Sequence, residues 1–491
     1  MYILTNGQMR KADEYTITDR KITASTLMER AGNALAKTAE ELAPQGEVLC
    51  VCGGGNNGGD GFVCARILKN SGRSVDTVCV ASRFSKDCLE KKEEWLKQGG
   101  VILGCIPQEK VYALVIDCLF GTGFHGTLDG ENAAIVSRMN DLKKRGAKIL
   151  AADIPSGVNG DNGIVIGEAV KADTTLCFGE LKAGAVLFDG LDCAGELRRA
   201  DIGIKLPENG YATLMEKDGL TLPKRKRNSH KGFYGRAAIV GGSKQYTGAA
   251  YLSAAACLRA GVGYTTLFVP QTILPYYYLK APELLLRAWD KEAMDELLGY
   301  DSVAYGVGMG VSQDTAAGAA WLLERYTGRL VLDADGLNSL AVYEKDNLLK
   351  LFSNKKCEVV LTPHCKEFSR LSGKAVSEIL EEGLNAATEF AKTHGVTVVL
   401  KNAATVITDG EKIVVNTAGN SGQAKGGSGD VLSGVIAGLC STGLSVFEAA
   451  KLGAYLCGVS AELAAEQIGE YALTATDIVA YMGRAFLSLQ D

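Results

Sequence analysis

Short apolar runs alternate with helically spaced ones along most of the chain. Residues 48–52, 75–80, 111–116 and 148–152 are apolar stretches of strand length, and each ends in a loop of glycine or polar residues. Between them, 62–69 and 132–145 carry apolar positions at helical spacing. A longer helical pattern opens the chain and runs through 27–32 to Leu42, where Pro44 and Gly46 end it. Residues 200–206 still read as strand, and 207–210 make a polar break. The stretch 215–229 is charged and places a domain boundary near Lys217. Beyond it, strands are predicted at 236–240, 302–305, 329–332, 359–361 and 396–400. A small-residue helix is predicted at 251–260, and an apolar helix behind Gly426–Asp430. Strands alternating with helices predict α/β architecture with parallel sheets, in two domains at 1–216 and 217–491.

Composition narrows the class. The 491 residues include 59 Gly but only 9 Pro, which suits strand-to-helix loops that hold ligands. A net charge of −5 gives no basic footprint for nucleic acid, and the isolated run at 224–227 reads as a solvated linker. Residues 1–10 lack the pattern of a signal peptide, and no apolar run has the length of a membrane span. The 14 Cys form no C-x-x-C pair, and many fall in apolar strands, as expected of buried thiols in a reducing cytoplasm. With 4 His, a zinc-type site is not expected.

The first half concentrates its chemistry at strand ends. Gly53-Gly54-Gly55-Asn56-Asn57-Gly58-Gly59-Asp60-Gly61 follows strand 48–52. Its G-x-G-x-x-G admits a dinucleotide reading with Asp76 on a ribose, and a turn needing several positive φ values is the plainer alternative. The paired Asn and the second Gly-Asp-Gly supply polar groups that neither needs. Asp117 leaves strand 111–116 into a loop running to Gly126. Strand 148–152 delivers Asp153-Ile154-Pro155-Ser156-Gly157. Carboxyl ends of parallel strands share one crevice, so Asp117 and Asp153 are candidates for two carboxylates over one ligand; loop-capping is the alternative for each.

Leu27–Gly32, Asn-Asn-Gly-Gly-Asp, Asp117 with Gly-Thr-Gly, and Asp153-Ile-Pro-Ser-Gly together resemble the NAD(P)H-hydrate (NADHX/NADPHX) epimerase family over residues 1 to about 215. That family interconverts the R and S forms of nicotinamide cofactors hydrated at ring carbon 6. The resemblance implies a Rossmann-like three-layer domain. It implies substrate contacts from Asn56, Asn57, Gly58, Gly59 and Asp60, and from Gly121, Thr122, Gly123, Phe124, His125, Gly126 and Thr127. It further implies a potassium ion held by Asn57, Asp117 and Ser156, with Asp153 as substrate contact and acid/base. Phe124-His125-Gly126 departs from the usual pattern.

In the second half, Gly241-Gly242-Ser243 opens after strand 236–240 and leads to Tyr246-Thr247-Gly248-Ala249-Ala250. Later strands end in Gly306–Gly310, Asp333-Ala334-Asp335, Thr362-Pro363-His364 and Lys401-Asn402-Ala403-Ala404-Thr405. Gly426-Gly427-Ser428-Gly429-Asp430 precedes a buried helix, whose first N–H groups suit phosphate oxygens. Asp430 there is a dipole-complementing residue or a base acting on a hydroxyl that attacks phosphorus. No G-x-x-x-x-G-K-[ST] occurs, which disfavours a P-loop NTPase.

Together these motifs resemble the NAD(P)H-hydrate dehydratase family, a branch of the ribokinase-like fold, over about residues 225–490. The resemblance implies that Ala250, Gly310, His364 and Asp430 meet the hydrated cofactor and that Asp430 is the catalytic base. It assigns the nucleotide to Lys401, Asn402, Ala403, Ala404, Thr405 and Gly429. ADP or ATP with magnesium drives dehydration of the S hydrate in that family. Asn402 stands where Gly is usual and Ser428 where Thr is usual.

The combined expectation is a bifunctional cofactor-repair enzyme acting on NADHX and NADPHX. It is expected to work in the cytoplasm as a homo-oligomer, without nucleic acid or membrane. A ribokinase-like kinase for a vitamin precursor or sugar, with an accessory dinucleotide-binding domain, is the alternative. A non-catalytic dinucleotide-binding or protein-interaction module is the other.

Overall fold

A computed structural model describes residues 1–207 and 210–490. The middle of the expected polar break, 208–209, and residue 491 of the expected second domain lie outside the described residues. The chain forms two compact units, Met1–Ala212 and Thr213–Asp491.

In the first unit, β1 (Tyr2–Leu4) pairs in parallel with β8 (Leu181–Lys182). The main sheet uses β2 (Val48–Cys52), β3 (Val75–Cys79), β4 (Ile102–Leu103), β5 (Leu114–Cys118), β6 (Lys148–Ala152), β7 (Thr174–Phe178) and β9 (Glu196–Ala200). Their order is β4-β3-β2-β5-β6-β7-β9, all parallel. Side chains alternate across this sheet. Val48, Cys50 and Cys52 enter one core cluster, while Leu49 and Val51 enter another on the opposite face. Helices therefore cover both faces, and apolar strands need no polar alternation. The strand order reverses between β2 and β5, where a parallel sheet opens a crevice for ligand.

The second unit orders β13 (Leu285–Ala288), β12 (Tyr264–Val269), β11 (Arg236–Gly241), β14 (Ser302–Val307), β15 (Arg329–Leu332), β16 (Glu358–Leu361) and β17 (Thr397–Leu400) as a parallel array. β18 (Thr405–Thr408) and β19 (Ile413–Asn416) continue it antiparallel, and Thr213 and Leu214 of β10 (Ala212–Leu214) pair with β19. Here the reversal falls between β11 and β14.

Several local expectations differ from the structure. The opening segment is two helices, Asn6–Thr18 and Ala24–Leu42, each started by a threonine cap at Thr5 or Thr23. Asp117 lies within β5, where 111–116 had been expected. Residues 201–206 are not strand. The helix expected at 62–69 spans Asn56–Asn70, so Asn-Asn-Gly-Gly-Asp is helical rather than looped. Its glycines answer to close packing. A Cβ on Gly58 would lie 2.0 Å from the Gly53 carbonyl oxygen, and one on Gly59 would lie 2.6 Å from the Met28 sulfur. Packing thus overrides poor helix propensity.

Candidate active sites

The first site gathers at the carboxyl ends of β2, β5 and β6. Gly55 starts the helix Asn56–Asn70 with extended φ/ψ, directing its first N–H groups toward the crevice. Asp117 is fully buried and held on all sides. Its Oδ2 accepts the Ser156 N–H at 2.8 Å, and its Oδ1 accepts the Ser156 hydroxyl at 2.6 Å and the Leu119 N–H at 3.2 Å. Burial raises this carboxyl to about 6 against those donors. The Ser156 oxygen also accepts the Phe120 N–H at 2.8 Å. Asn57 donates its amide to the Phe120 carbonyl at 3.0 Å, but its buried Oδ1 has no hydrogen-bond partner. Asn57, Asp117 and Ser156, the three residues to which the resemblance assigns an ion, therefore meet around the 119–120 backbone. The orphaned oxygen fits a hard cation such as potassium, which takes oxygen ligands.

Asp153 follows β6 with φ +67, a left-handed conformation that non-glycine residues seldom adopt. Its Oδ1 accepts the Phe178 N–H at 2.9 Å and is paired with the Lys182 ammonium. Two acids stand in the same electrostatic neighbourhood. Burial, reinforced by Asp153, holds Asp60 well above the usual carboxylate range. Burial and then Asp153 raise Asp13, on the helix Asn6–Thr18, to about 6. Sequence reading missed Lys182 and Asp13, because both lie in unremarkable segments whose partners are distant in the chain. Asp76, the ribose candidate of the dinucleotide reading, has its Oδ2 engaged by Lys110 Nζ and the Tyr112 hydroxyl, both at 2.7 Å.

The outer loop is looser. Phe124 packs on Phe120 with ring centroids 5.2 Å apart, whereas Gly123, His125, Gly126 and Thr127 are exposed. A Cβ on Gly121 would lie 3.2 Å from the Asn57 Cβ, which ties this loop's start to the ion site. Asn56 is exposed, and its Oδ1 accepts the Ser85 hydroxyl at 2.9 Å.

The second site lies at the carboxyl ends of β14, β15, β16 and β17. Gly427, at φ +100, starts the helix Ser428–Ser441, so Asp430 stands in the first turn rather than in a loop. Asp333 is the buried hub. Its Oδ1 accepts Lys401 Nζ at 3.0 Å, and its Oδ2 takes the Ser433 hydroxyl from the Asp430 helix. Burial pulls the Lys401 ammonium down, but Asp333 and Glu367 outweigh it and hold Lys401 above the usual lysine range. A Cβ on Gly429 would meet Lys401 Nζ at 3.1 Å, so the cation reaches the helix N-terminus. Burial and then Asp333 raise the Asp430 carboxyl to about 7, with Lys401 opposing them.

His364 caps the helix Cys365–Ser372. Its Nδ1 accepts the Lys366 and Glu367 N–H groups, both at 3.1 Å, which leaves Nε2 on a side chain that is 50% exposed. A backbone bridge joins His364 to Lys401. Gly310 donates its N–H to Asp335 Oδ2 at 2.8 Å. Asp333, Asp335 and Glu367, missing from the expected contact set, thus frame the residues in it. Gly306 is obligatory at φ +118, where a Cβ would lie 2.3 Å from the Asp333 carbonyl. Ala250 and Ala404 are buried, while Asn402 and Ala403 are exposed. Asn402 folds its Oδ1 onto the Ala403 N–H at 2.8 Å. Thr405 begins β18 beside them.

A family model described as NAD(P)H-hydrate dehydratase matches residues 237–484. One described as YjeF-related protein N-terminus matches residues 24–184. The bifunctional NAD(P)H-hydrate repair enzyme of Thermofilum pendens is 35% identical over 95% of this chain and 92% of its own. The structure of ADP/ATP-dependent NAD(P)H-hydrate dehydratase from Bacillus subtilis, co-crystallised with ATP/Mg2+, is 27% identical. It covers 57% of this chain and 99% of its own, with TM-score 0.50. A ribokinase-like superfamily protein from Enterococcus faecalis covers the same shares at 26% identity and TM-score 0.50.

Proposed function

The chain belongs to the family of bifunctional NAD(P)H-hydrate repair enzymes, and on that premise we propose how its two sites divide the work. The protein epimerises R- and S-NAD(P)H hydrates and, at the expense of ADP or ATP, dehydrates the S hydrate to NADH or NADPH. Residues 1–216 carry the first reaction on a Rossmann-like domain, and 217–491 the second on a ribokinase-like one. The observation that carries this reading is that each unit sets a lysine-paired carboxylate at a strand-end crevice, Asp153 with Lys182 in the first and Asp333 with Lys401, beside Asp430, in the second.

In the epimerase site, Asn56–Asp60 and Gly121–Thr127 bind the hydrated cofactor. Asp153 gives a proton to the departing hydroxyl as the C6–O bond opens to the ring iminium, and takes one back as water re-forms that bond on the other face. Asn57, Asp117 and Ser156 would hold potassium, which orders the loops and offsets phosphate charge. The unpartnered Asn57 Oδ1 supports this assignment. Asn57→Leu is accordingly expected to erase stimulation of epimerisation by potassium chloride over sodium chloride, measured as initial rate at fixed ionic strength. Dehydration should keep its rate.

In the dehydratase site, Lys401–Thr405 and Gly429 bind the nucleotide, while Ala250, Gly310 and His364 position the ring. Asp430 takes the proton of the ring hydroxyl as that oxygen attacks the terminal phosphoryl group. The resulting phosphate is a good leaving group. Its departure, with loss of a proton from the neighbouring ring carbon, restores the dihydronicotinamide. Lys401 and the first N–H groups of the helix Ser428–Ser441 compensate charge on the transferring group. Magnesium, when bound, would neutralise nucleotide phosphate oxygens, and the Glu367 carboxylate near Lys401 is a hard oxygen donor that fits it.

A base must be ionised to act. With its carboxyl raised to about 7, Asp430 is largely protonated at pH 6 and largely ionised at pH 8. The free-enzyme kcat/KM for dehydration is therefore expected to climb about tenfold per pH unit below 7 and level off above it. A profile flat from pH 5 to 8 would remove Asp430 as the base.

No helix among the described residues is long and apolar enough to cross a membrane. All 14 cysteines are free thiols. The free thiols suit a reducing cytoplasm, where we place the enzyme as a homo-oligomer acting on small-molecule substrates. The test of the whole reading is recovery of reduced nicotinamide from hydrate epimers with each nucleotide and magnesium.

A further inference from the structure

We propose that Lys182 is a positioning residue for epimerisation, fixing Asp153 so that its Oδ2 is the oxygen that exchanges the proton with substrate. The inference rests on the acid/base role of Asp153 given above and goes beyond it by assigning the oxygen and the residue that selects it.

Lys182 is 1% exposed, and a buried ammonium must satisfy three N–H donors. It does so with Asp153 Oδ1, the Phe178 carbonyl at 2.8 Å and the Glu180 carbonyl at 3.1 Å. With every donor spent, Lys182 has no N–H left to offer a substrate, so it is not the acid of the reaction. The same contacts saturate Asp153 Oδ1, which also receives the Phe178 N–H at 2.9 Å. No donor among the described residues reaches Oδ2, and the Asp153 side chain retains 14% exposure. One oxygen is thus anchored to the turn after β7 while the other is left for substrate. The φ of +67 at Asp153 fits this arrangement, since the turn after β6 must swing the carboxyl toward β7 and β8.

The charge balance of the pocket assigns the ammonium a second effect. The titratable groups facing Asp153 are Lys182 on β8, Asp60 on the helix Asn56–Asn70, Asp13 on the helix Asn6–Thr18 and Cys177 on β7. Lys182 is the cation among them. Without it, an ionised Asp153 would face two other acids with no compensating charge. Removing the ammonium must therefore leave the Asp153 carboxylate without its ion-pair partner and free its anchored oxygen to rotate.

The test uses the full chain. In Lys182→Gln, which keeps N–H donors but not charge, kcat for epimerisation at pH 7 is expected to fall at least about a hundredfold. KM should stay within about threefold, so that the loss falls on kcat alone. Dehydration of the S hydrate should be unchanged. A Gln variant with the wild-type rate overturns the proposal. So does a slow variant whose KM rises in step with the fall in kcat, because a merely structural lysine would give that. Should Lys182→Gln melt below the assay temperature, the Asp153→Asn/Lys182→Gln double variant decides. It is expected to melt higher than Lys182→Gln alone, since no charge is left unpaired, and a double variant that melts no higher overturns the proposal. An Asp153→Asn single variant that still epimerises would overturn the role of Asp153 itself, a separate outcome read without touching Lys182.

Discussion

Asp430→Asn is expected to lower kcat for dehydration of the S hydrate by about a thousandfold or more, while epimerisation proceeds at the wild-type rate. General-base catalysis commonly supplies about 10²–10⁴ in rate. The upper part of that range applies because the ring hydroxyl is a poor nucleophile until it loses its proton. Asn keeps the size and hydrogen-bonding shape of Asp but accepts no proton, so the helix N-terminus and the Lys401–Asp333–Ser433 network should stay in place. Nucleotide binding should weaken little or even tighten, because a negative charge is removed beside the phosphates.

The same substitution carries a stability signature. Burial and Asp333 raise the Asp430 carboxyl from 3.8 to about 7, so the folded chain holds a proton there that the unfolded chain releases. The stabilisation from that bound proton is complete below pH 3.8 and is lost as pH rises through 7. The neutral Asn variant escapes this loss. Its melting temperature is therefore expected to gain on the wild type between pH 5 and pH 8, in a thermal melt without ligand. Higher stability with lower activity is the mark of a residue kept for chemistry at the expense of the fold.

The second large effect belongs to Asp153→Asn, which is expected to slow epimerisation by about 10²–10⁴ and leave dehydration of the S hydrate untouched. Asn can still receive the Phe178 N–H on its carbonyl oxygen, which preserves the turn. It removes the partner of the buried Lys182 charge, however, so a loss of melting temperature in the first unit should accompany the loss of activity. An unpaired buried charge costs about 3–5 kcal/mol. Supplied with R hydrate and nucleotide, this variant should return NAD(P)H only as fast as R becomes S without catalysis. Equal loss of both activities in a chain that remains folded would contradict the separation of the sites.

Much of the architecture was legible because short apolar strands alternate with helices, and both faces of each parallel sheet are covered. Asp153 and Asp430 could be singled out too, at a predicted strand end and at a predicted helix start after Gly429. Two kinds of feature were not legible. Glycine's low helix propensity disguised the start of the helix Asn56–Asn70, since the close approach that demands Gly58 and Gly59 is visible only in three dimensions. The partners of the candidate acids were also hidden. Asp153 and Lys182 are 29 positions apart, Asp333 and Lys401 are 68, and Asp333 and Ser433 are 100. No local pattern marks a lysine as buried and paired. Asp76 likewise has partners that no local pattern marks, Lys110 and Tyr112, 34 and 36 positions away.

Two separable carboxylate-centred sites on one chain are expected to act in sequence on a damaged cofactor. Mixing the two single variants reads this out. An R/S mixture of NADPH hydrate is incubated with ATP or ADP and magnesium, and the absorbance of reduced nicotinamide is followed. Wild type should recover the whole mixture, Asp153→Asn the S fraction at the fast rate, and Asp430→Asn neither. Asp153→Asn and Asp430→Asn together should recover the whole mixture, each protein supplying the site the other lacks. A combined sample that recovers no more than Asp153→Asn alone would contradict the account.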